Sequence, residues 1–266
     1  IPVMMNKQGL DQQIVEKLKL KCSKPKLNDW KRVTKLESEQ KGETKIAMVG
    51  KYTELVDSYK SVNEALIHAG IHNKTNVKIE HIDSERFNKG VENLEADGIL
   101  IPGGFGNRGV KGMLNVAKFA RENNIPYFGI CLGMQVAVIE FARNVLKLDA
   151  DSTEFKKNTQ HPVIGLITEW LDEDGLIQYR SEDSDKGGTM RLGSQVCHLK
   201  KNSKMAKLYK KLKIFERHRH RYEFNGNYES AFNKNGMTVV GKSEDETLVE
   251  AIAVSYTHLR AHETLS

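Results

Sequence analysis

One stretch of eleven residues constrains this chain more than any other. Residues 125–135 are Ile-Pro-Tyr-Phe-Gly-Ile-Cys-Leu-Gly-Met-Gln, and an apolar, helix-compatible run follows from Val136 to Ala142. This pattern predicts a nucleophile elbow, a strained strand-to-helix turn whose flanking glycines avoid a Cβ clash. A helix N-terminus favours negative charge, so the position is expected to lower a thiol pKa. Cys131 is therefore the candidate nucleophile.

The alternative for Cys131 is an inert buried thiol, which is where most free cysteines lie. The other two cysteines, Cys22 and Cys197, have no comparable glycine context. Three scattered cysteines are too few for a disulfide framework or a paired-cysteine zinc site. The histidines also lack partners at a convincing metal-ligand spacing, so no metal is predicted.

The pattern of apolar runs predicts the fold class. Continuous apolar strands alternate with helices, which indicates an α/β fold with a doubly wound, mostly parallel sheet and helices on both faces. The second half adds a region of antiparallel strands. Strands are predicted at 45–50, 77–82, 98–101, 126–130, 163–167, 189–199, 237–241 and 248–254, and helices at 11–20, 59–69, 110–123 and 204–212. Ligands of such sheets bind at the carboxyl ends of strands, where the loops 102–109 and 129–133 fall.

The loop from Gly104 to Gly109 has two interpretations. It matches the G-x-G-x-x-G dinucleotide fingerprint, follows a strand and opens a helix. However, the next strand, 127–130, carries no acidic residue and ends at Cys131. The other interpretation is that backbone N–H groups of this loop converge on a developing oxyanion.

The run Arg217-His218-Arg219-His220-Arg221-Tyr222 has three interpretations. Arginine beside an aromatic residue is typical of a nucleic-acid patch. Charge along a strand is also typical of a solvated sheet edge. Finally, one arginine can hold a carboxylate through its planar guanidinium.

Several motifs together resemble one family. Gly129 to Gln135 is similar to the nucleophile motif of class I glutamine amidotransferases. Further motifs are similar to the CTP synthase family in particular, and they stand at 102–109 (Pro-Gly-Gly-Phe-Gly-Asn-Arg-Gly), 152–155 (Ser-Thr-Glu-Phe), 187–193 (Gly-Gly-Thr-Met-Arg-Leu-Gly) and 216–223 (Glu-Arg-His-Arg-His-Arg-Tyr-Glu). The resemblance extends from residue 1 to about residue 254.

The resemblance implies a function and a set of site residues. Cys131 would attack the side-chain amide of glutamine, and backbone groups of Gly104 and Leu132 would hold the oxyanion. Glu154 would bind the α-ammonium of glutamine and Arg221 its α-carboxylate. The implied substrate-binding residues are Gly104, Leu132, Gly133, Met134, Gln135, Glu154 and Arg221. The released ammonia would serve an ATP-dependent amination of UTP to CTP.

The resemblance also implies a domain organisation. Residues 1–43 would be the end of a synthetase domain and a linker, 44–254 the amidotransferase domain, and 255–266 a tail unlike the family. No cofactor is expected within this chain. Magnesium and ATP would belong to the missing synthetase domain, with GTP as an allosteric activator. The expected partners are glutamine and that synthetase domain. The full-length parent protein is expected to be a homotetramer and to be located in the cytoplasm.

Composition limits the other classes of function. The net charge of +6 is uneven, because residues 1–45 hold 11 Lys/Arg and six Asp/Glu. The remaining body is close to neutral, so nucleic-acid binding is not expected. No apolar run approaches eighteen residues, so no membrane span is predicted either.

The C-terminal residues depart from the family. The family carries a His-Pro-Glu motif about two dozen residues after the strand at 248–254, and its histidine is the general base. Residues 255–266 lack this motif, and neither His258 nor His262 is assigned the role. We therefore expect a chain with a nucleophile but deficient in turnover. Two alternatives stay open, an inactive glutamine-binding module and a nucleotide-binding α/β protein that uses the loop from Gly104 to Gly109.

Overall fold

A computed structural model describes residues 1–53, 55, 57–166, 190–256 and 260–265 of the chain. The chain divides into two units. The first comprises Ile1–Thr44 and Lys60–Lys78, and the second comprises Lys45–Tyr59 and Ile79–Ser266. None of the helices in the described ranges has the length and apolar character needed to cross a membrane.

The first unit is mainly helical. Its helices are α1 (Pro2–Lys7), α2 (Leu10–Lys17), α3 (Asn28–Ser38) and α4 (Lys60–Asn73). Helix α3 lies within residues 1–43, which the resemblance implies to be the end of a synthetase domain and a linker. This helix has no buried residue. Asp29 in its first turn and Lys35 in its last turn complement the helix dipole and so stabilise the helix without core packing.

A parallel sheet carries the elbow, and most of its residues belong to the second unit. Its strands are β1 (Glu43–Gly50), β2 (Asn76–Asp83), β3 (Gly98–Ile101) and β4 (Tyr127–Gly129), in the order β2-β1-β3-β4. Strands β1 and β3 pair in parallel, as do β3 and β4. The strand order reverses direction at β1, so the carboxyl ends of β1 and β3 form the switch point at which such sheets bind ligands.

The other strands form two further sheets, and they include the predicted antiparallel region. A small sheet has the order β5-β6-β9, and a five-stranded antiparallel sheet has the order β12-β11-β10-β7-β8. The strands are β5 (Ala150–Ser152), β6 (His161–Leu166), β7 (Arg191–Leu199), β8 (Lys213–His220), β9 (Tyr222–Phe224), β10 (Met237–Lys242), β11 (Val249–Tyr256) and β12 (Arg260–Leu265). The α/β fold class with an added antiparallel region is confirmed.

The remaining helices of the second unit are α5 (Val110–Glu122), α6 (Leu132–Asn144), α7 (Lys204–Tyr209) and α8 (Glu229–Lys234). Helix α6 begins directly after Cys131 and is buried almost all round. Leu132 and Val136 belong to the core beside the parallel sheet. Met134 and Val138 belong to a second core, shared with β6, β10 and β11. A helix that is apolar on every side needs such burial, and this burial fixes the position of the elbow.

Candidate active site

The elbow at Cys131 has the predicted form. Cys131 has φ +52° and ψ −105°, a conformation that is strained for a residue with a side chain. A Cβ on Gly129 would lie 2.4 Å from the carbonyl carbon of Gly133, and one on Gly133 would lie 2.1 Å from the Ile101 oxygen. Both glycines are therefore required by close backbone approach, as the motif predicts.

Two backbone amides meet the sulphur of Cys131. The backbone N–H groups of Leu132 and Gly104 both act on it, and each lowers its pKa. One amide comes from the elbow itself, and the other comes from the loop that follows β3. These are the two residues expected to hold an oxyanion. The Arg219 carbonyl oxygen lies 4.0 Å from the same sulphur.

The expected lowering of the Cys131 pKa is wrong for this structure. Burial is the largest effect and raises the pKa of the thiol to about 11, and the nearby carboxylates Glu154 and Glu223 raise it further. Desolvation disfavours a thiolate, and here it outweighs the two amides. The effects that lower this pKa come from backbone N–H groups, whereas both charged groups that act on it are acidic.

The loop after β3 is held by two side chains of opposite charge. The Lys51 ammonium donates to the Phe105 oxygen at 3.0 Å and also to the Gly106 oxygen. The Glu154 carboxylate accepts from the Gly106 N–H at 2.8 Å. Lys51 and Glu154 therefore fix both ends of the peptide unit that joins Phe105 to Gly106. Burial lowers the pKa of Lys51 to about 8.

Arg108 completes the attachment of this loop. Its guanidinium donates to the Lys51 carbonyl oxygen, and it lies 3.2 Å from Glu85 and 3.6 Å from Asp83. The Gly104 and Gly106 amides are directed at Cys131 and Glu154. Because these amides bind protein groups, the loop differs from a dinucleotide loop, whose amides converge on phosphate.

Arg221 lies where the chain leaves one sheet and enters another. Strand β8 ends at His220 and pairs with β7, whereas β9 begins at Tyr222 and pairs with β6. The Nε of Arg221 is buried and has no hydrogen-bond partner among the described residues. Gln135 is buried and donates to the Tyr222 oxygen at 3.1 Å. The segment 219–222 thus approaches both Cys131 and helix α6.

A buried charge network, which was not predicted from the sequence, lies beside this segment. Arg191 lies 3.2 Å from Glu223 and 2.7 Å from Glu250, and His218 lies 2.6 Å from Glu250. Burial raises the pKa of Glu223 to about 8 and lowers that of His220 to about 4. The available signals were an acid inside the apolar strand 248–254 and histidines at alternate positions of β8.

This network contains one group of possible metal ligands. His218, His220 and Glu250 each offer an atom within 4.8 Å of the other two. However, one oxygen of Glu250 is 2.7 Å from Arg191 and the other is 2.6 Å from His218. Because both oxygens already have charged or hydrogen-bonding neighbours, the geometry favours an ion-pair network. The prediction that no metal is bound stays a prediction.

The structure describes residues 255, 256 and 260–265 of the tail. Residues 260–265 form β12, which pairs antiparallel with β11 and sets His262 opposite Val254. This strand was not predicted. His258 lies outside the described residues, so the structure gives no position for it.

The comparisons with known proteins agree with this geometry. A family model described as glutamine amidotransferase class-I matches residues 54–259. The glutaminase domain of Trypanosoma brucei CTPS, solved with bound acivicin, is 37% identical with a TM-score of 0.70, over 84% of each chain.

A glutamine amido transferase from Methylobacillus flagellatus is 10% identical with a TM-score of 0.47, over 80% of this chain and 66% of that one. So low a TM-score carries no weight for function. The family match covers well over half of the residues, and the trypanosomal domain is similar in sequence as well as in structure. This chain therefore belongs to the class I glutamine amidotransferase family, and its glutaminase-like domain is similar to that of CTP synthase.

Proposed function

We propose that this chain is the glutamine-hydrolysing part of a CTP synthase. The observation that carries the proposal is the convergence of the Gly104 and Leu132 amides on the sulphur of Cys131. Two preorganised N–H donors at one nucleophile are what an oxyanion of acyl transfer requires. The similarity to the trypanosomal CTPS glutaminase domain supports the choice of glutamine as the substrate.

The chemistry follows from these groups. The Cys131 thiolate attacks the side-chain amide carbon of glutamine, and the negative oxygen is stabilised by the two amides. Collapse of the tetrahedral intermediate breaks the C–N bond, and the nitrogen takes up a proton and leaves as ammonia. Water then hydrolyses the glutamyl thioester, which releases glutamate and restores the thiol.

The charges around the site fit a zwitterionic amino acid. Arg221 carries a buried Nε without a partner among the described residues, and it would bind the α-carboxylate. Glu154, now bound to the Gly106 amide, would bind the α-ammonium. Gln135, Gly133 and Met134 would complete the binding surface at the start of α6.

The wider role remains part of the same proposal. The ammonia would pass to a synthetase domain, where Mg-ATP activates UTP, with GTP as an allosteric activator. The parent would be a cytoplasmic homotetramer. Within this chain we propose no cofactor, no metal and no nucleic-acid partner.

A second candidate, a glutamine-binding module with little turnover, is favoured by the pKa of Cys131. That pKa is about 11, and the charged groups acting on it are carboxylates. General acid–base assistance typically contributes about 10²–10⁴-fold, so a site without a base should lose at least that much turnover.

Glutamate release separates the two candidates. If the chain is a glutaminase, we expect it to release glutamate from glutamine, with release abolished in Cys131→Ala and unchanged in Cys22→Ala. A chain that binds glutamine but releases glutamate no faster than Cys131→Ala would be the binding module. If release is detected, His258 and His262 are the first residues to mutate in a search for its base. Release by Cys131→Ala would overturn the assignment of the nucleophile.

A further inference from the structure

The network formed by Arg191, His218, Glu223 and Glu250 lies outside the proposed chemistry. It joins four strands, β7, β8, β9 and β11, through side chains that are almost fully buried. The Glu223 and Glu250 side chains are 0% and 1% exposed, and that of Arg191 is 14% exposed. Burying charged groups costs desolvation free energy that pairing offsets only in part. The packing of a sheet alone therefore does not explain the network.

The network anchors the segment 219–222 at both of its ends. His218 precedes the segment and binds Glu250 on β11. Glu223 follows it and binds Arg191 on β7. Arg191 also binds Glu250, so the two anchors are connected through a single guanidinium. Arg191 is moreover the register partner of His220 across the β7–β8 pair.

The anchored segment presents three groups toward the candidate site. The Arg219 oxygen lies 4.0 Å from the Cys131 sulphur, and the Tyr222 oxygen accepts from Gln135 at 3.1 Å. Arg221 lies between them with its buried Nε unbonded among the described residues.

The backbone here cannot be fixed by one ladder of hydrogen bonds. Strand β8 belongs to the five-stranded sheet and β9 to the three-stranded sheet, and Arg221 is the single residue between them. A side-chain tie across this junction is therefore the means by which the orientation of Arg221 can be set.

We propose that Arg191, His218, Glu223 and Glu250 are positioning residues for glutamine recognition, because they fix the junction that carries Arg221. This inference rests on the proposed function and deepens it. A positioning role for the network differs from a merely stabilising role in one respect. Loss of the network should weaken substrate recognition in protein that is still folded, while the reactivity of the Cys131 thiol itself remains.

Two reagents separate recognition from thiol reactivity. Acivicin, the ligand of the trypanosomal domain, carries an α-amino acid group, so its binding should depend on Arg221. Iodoacetamide lacks that group and reports the thiol alone. The experiment measures the half-saturating acivicin concentration for labelling Cys131, together with the rate of iodoacetamide alkylation, in a Cys22→Ser background.

Arg191→Met should raise the half-saturating acivicin concentration by about 10- to 100-fold, as expected for a displaced binding group. Its iodoacetamide rate should not change. Arg191→Lys should restore part of the acivicin affinity because it keeps a cation between the two carboxylates. The matched control is Arg217→Gln, an exposed arginine of β8, and it should behave as the unsubstituted chain.

The possible outcomes are distinct. If Arg191→Met does not fold, the double variant Arg191→Met/Glu250→Gln removes one stranded carboxylate and should show the same loss of acivicin affinity. Unchanged half-saturation in a folded variant would overturn the inference, as would equal slowing of both reagents. Absence of saturable acivicin labelling in the unsubstituted chain would instead contradict the proposed function.

Discussion

Lys51 and Glu154 hold opposite ends of one peptide unit. The ammonium of Lys51 binds the carbonyl oxygen of Phe105, and the carboxylate of Glu154 binds the N–H of Gly106. Lys51 directly follows β1, and this peptide unit lies in the loop after β3. The adjoining residue Gly104 supplies the amide that meets the Cys131 sulphur. The orientation of an oxyanion donor is thus tied to two side chains of opposite charge that bind the peptide unit next to it.

Lys51→Met should therefore slow acivicin labelling of Cys131. The methionine fills similar space but cannot bind the Phe105 oxygen, so the Gly104 amide loses its fixed direction. Removal of one oxyanion donor typically costs about 10²–10³-fold in rate, and a displaced donor should cost at least about tenfold. The control is Lys118→Met, an exposed lysine of α5. Equal labelling rates in the two variants would show that the loop is held without Lys51.

The reactivity of Cys131 should show a high pKa. Because burial raises the pKa of the thiol to about 11, the thiolate fraction should still be increasing at pH 10. Iodoacetamide alkylation, followed between pH 7 and about pH 11, should show no plateau in a Cys22→Ser/Cys197→Ser background. The sign follows from thiolate being the reactive form. A plateau below the ordinary thiol pKa would indicate a cationic neighbour that the described residues do not supply.

Gly133→Ala should destabilise the folded chain. The added Cβ would lie 2.1 Å from the Ile101 oxygen, and neither backbone can move without displacing α6 or β3. We expect a loss of about 2–4 kcal/mol in the free energy of unfolding, measured in urea. Gly226→Ala is the matched control, because nothing lies within 4 Å of its added Cβ. Similar losses in both variants would contradict the close approach at the elbow.

Arg221→Ala should weaken glutamine binding. A charge-assisted contact with the α-carboxylate would be lost, which corresponds to about 1.5–3 kcal/mol. Glu154→Gln should have an effect of similar size through the α-ammonium. Isothermal titration calorimetry with glutamine, in a Cys131→Ala background that prevents turnover, measures both. Unchanged affinity in both variants would show that glutamine is bound elsewhere.

A feature can be predicted from the sequence when the residues that form it are close together along the chain. The elbow is local: Gly129, Cys131 and Gly133 lie within five residues, and their spacing alone dictates a strand, a turn and a helix. The buried charge network is not local. Arg191, Glu223 and Glu250 meet only because β7, β8 and β11 share one sheet and β9 follows β8 directly. No periodicity within one segment specifies that register.

The direction of the Cys131 pKa shift could not be derived from the motif for the same reason. A helix N-terminus predicts a lower pKa, but the observed direction depends on burial and on two carboxylates distant in sequence, Glu154 and Glu223. Lys51 was missed because a single lysine after a strand has many possible roles. Its role became visible only when the loops after β1 and β3 were brought together.

Mass spectrometry of the chain after incubation with acivicin, with peptide mapping of the adduct, tests whether Cys131 is the nucleophile that attacks glutamine. We expect one adduct per chain, on Cys131, that glutamine competes away and that is absent from Cys131→Ala. A folded chain that gains no adduct, or gains it on Cys22 or Cys197 with Cys131 unmodified, would show that Cys131 is not the nucleophile.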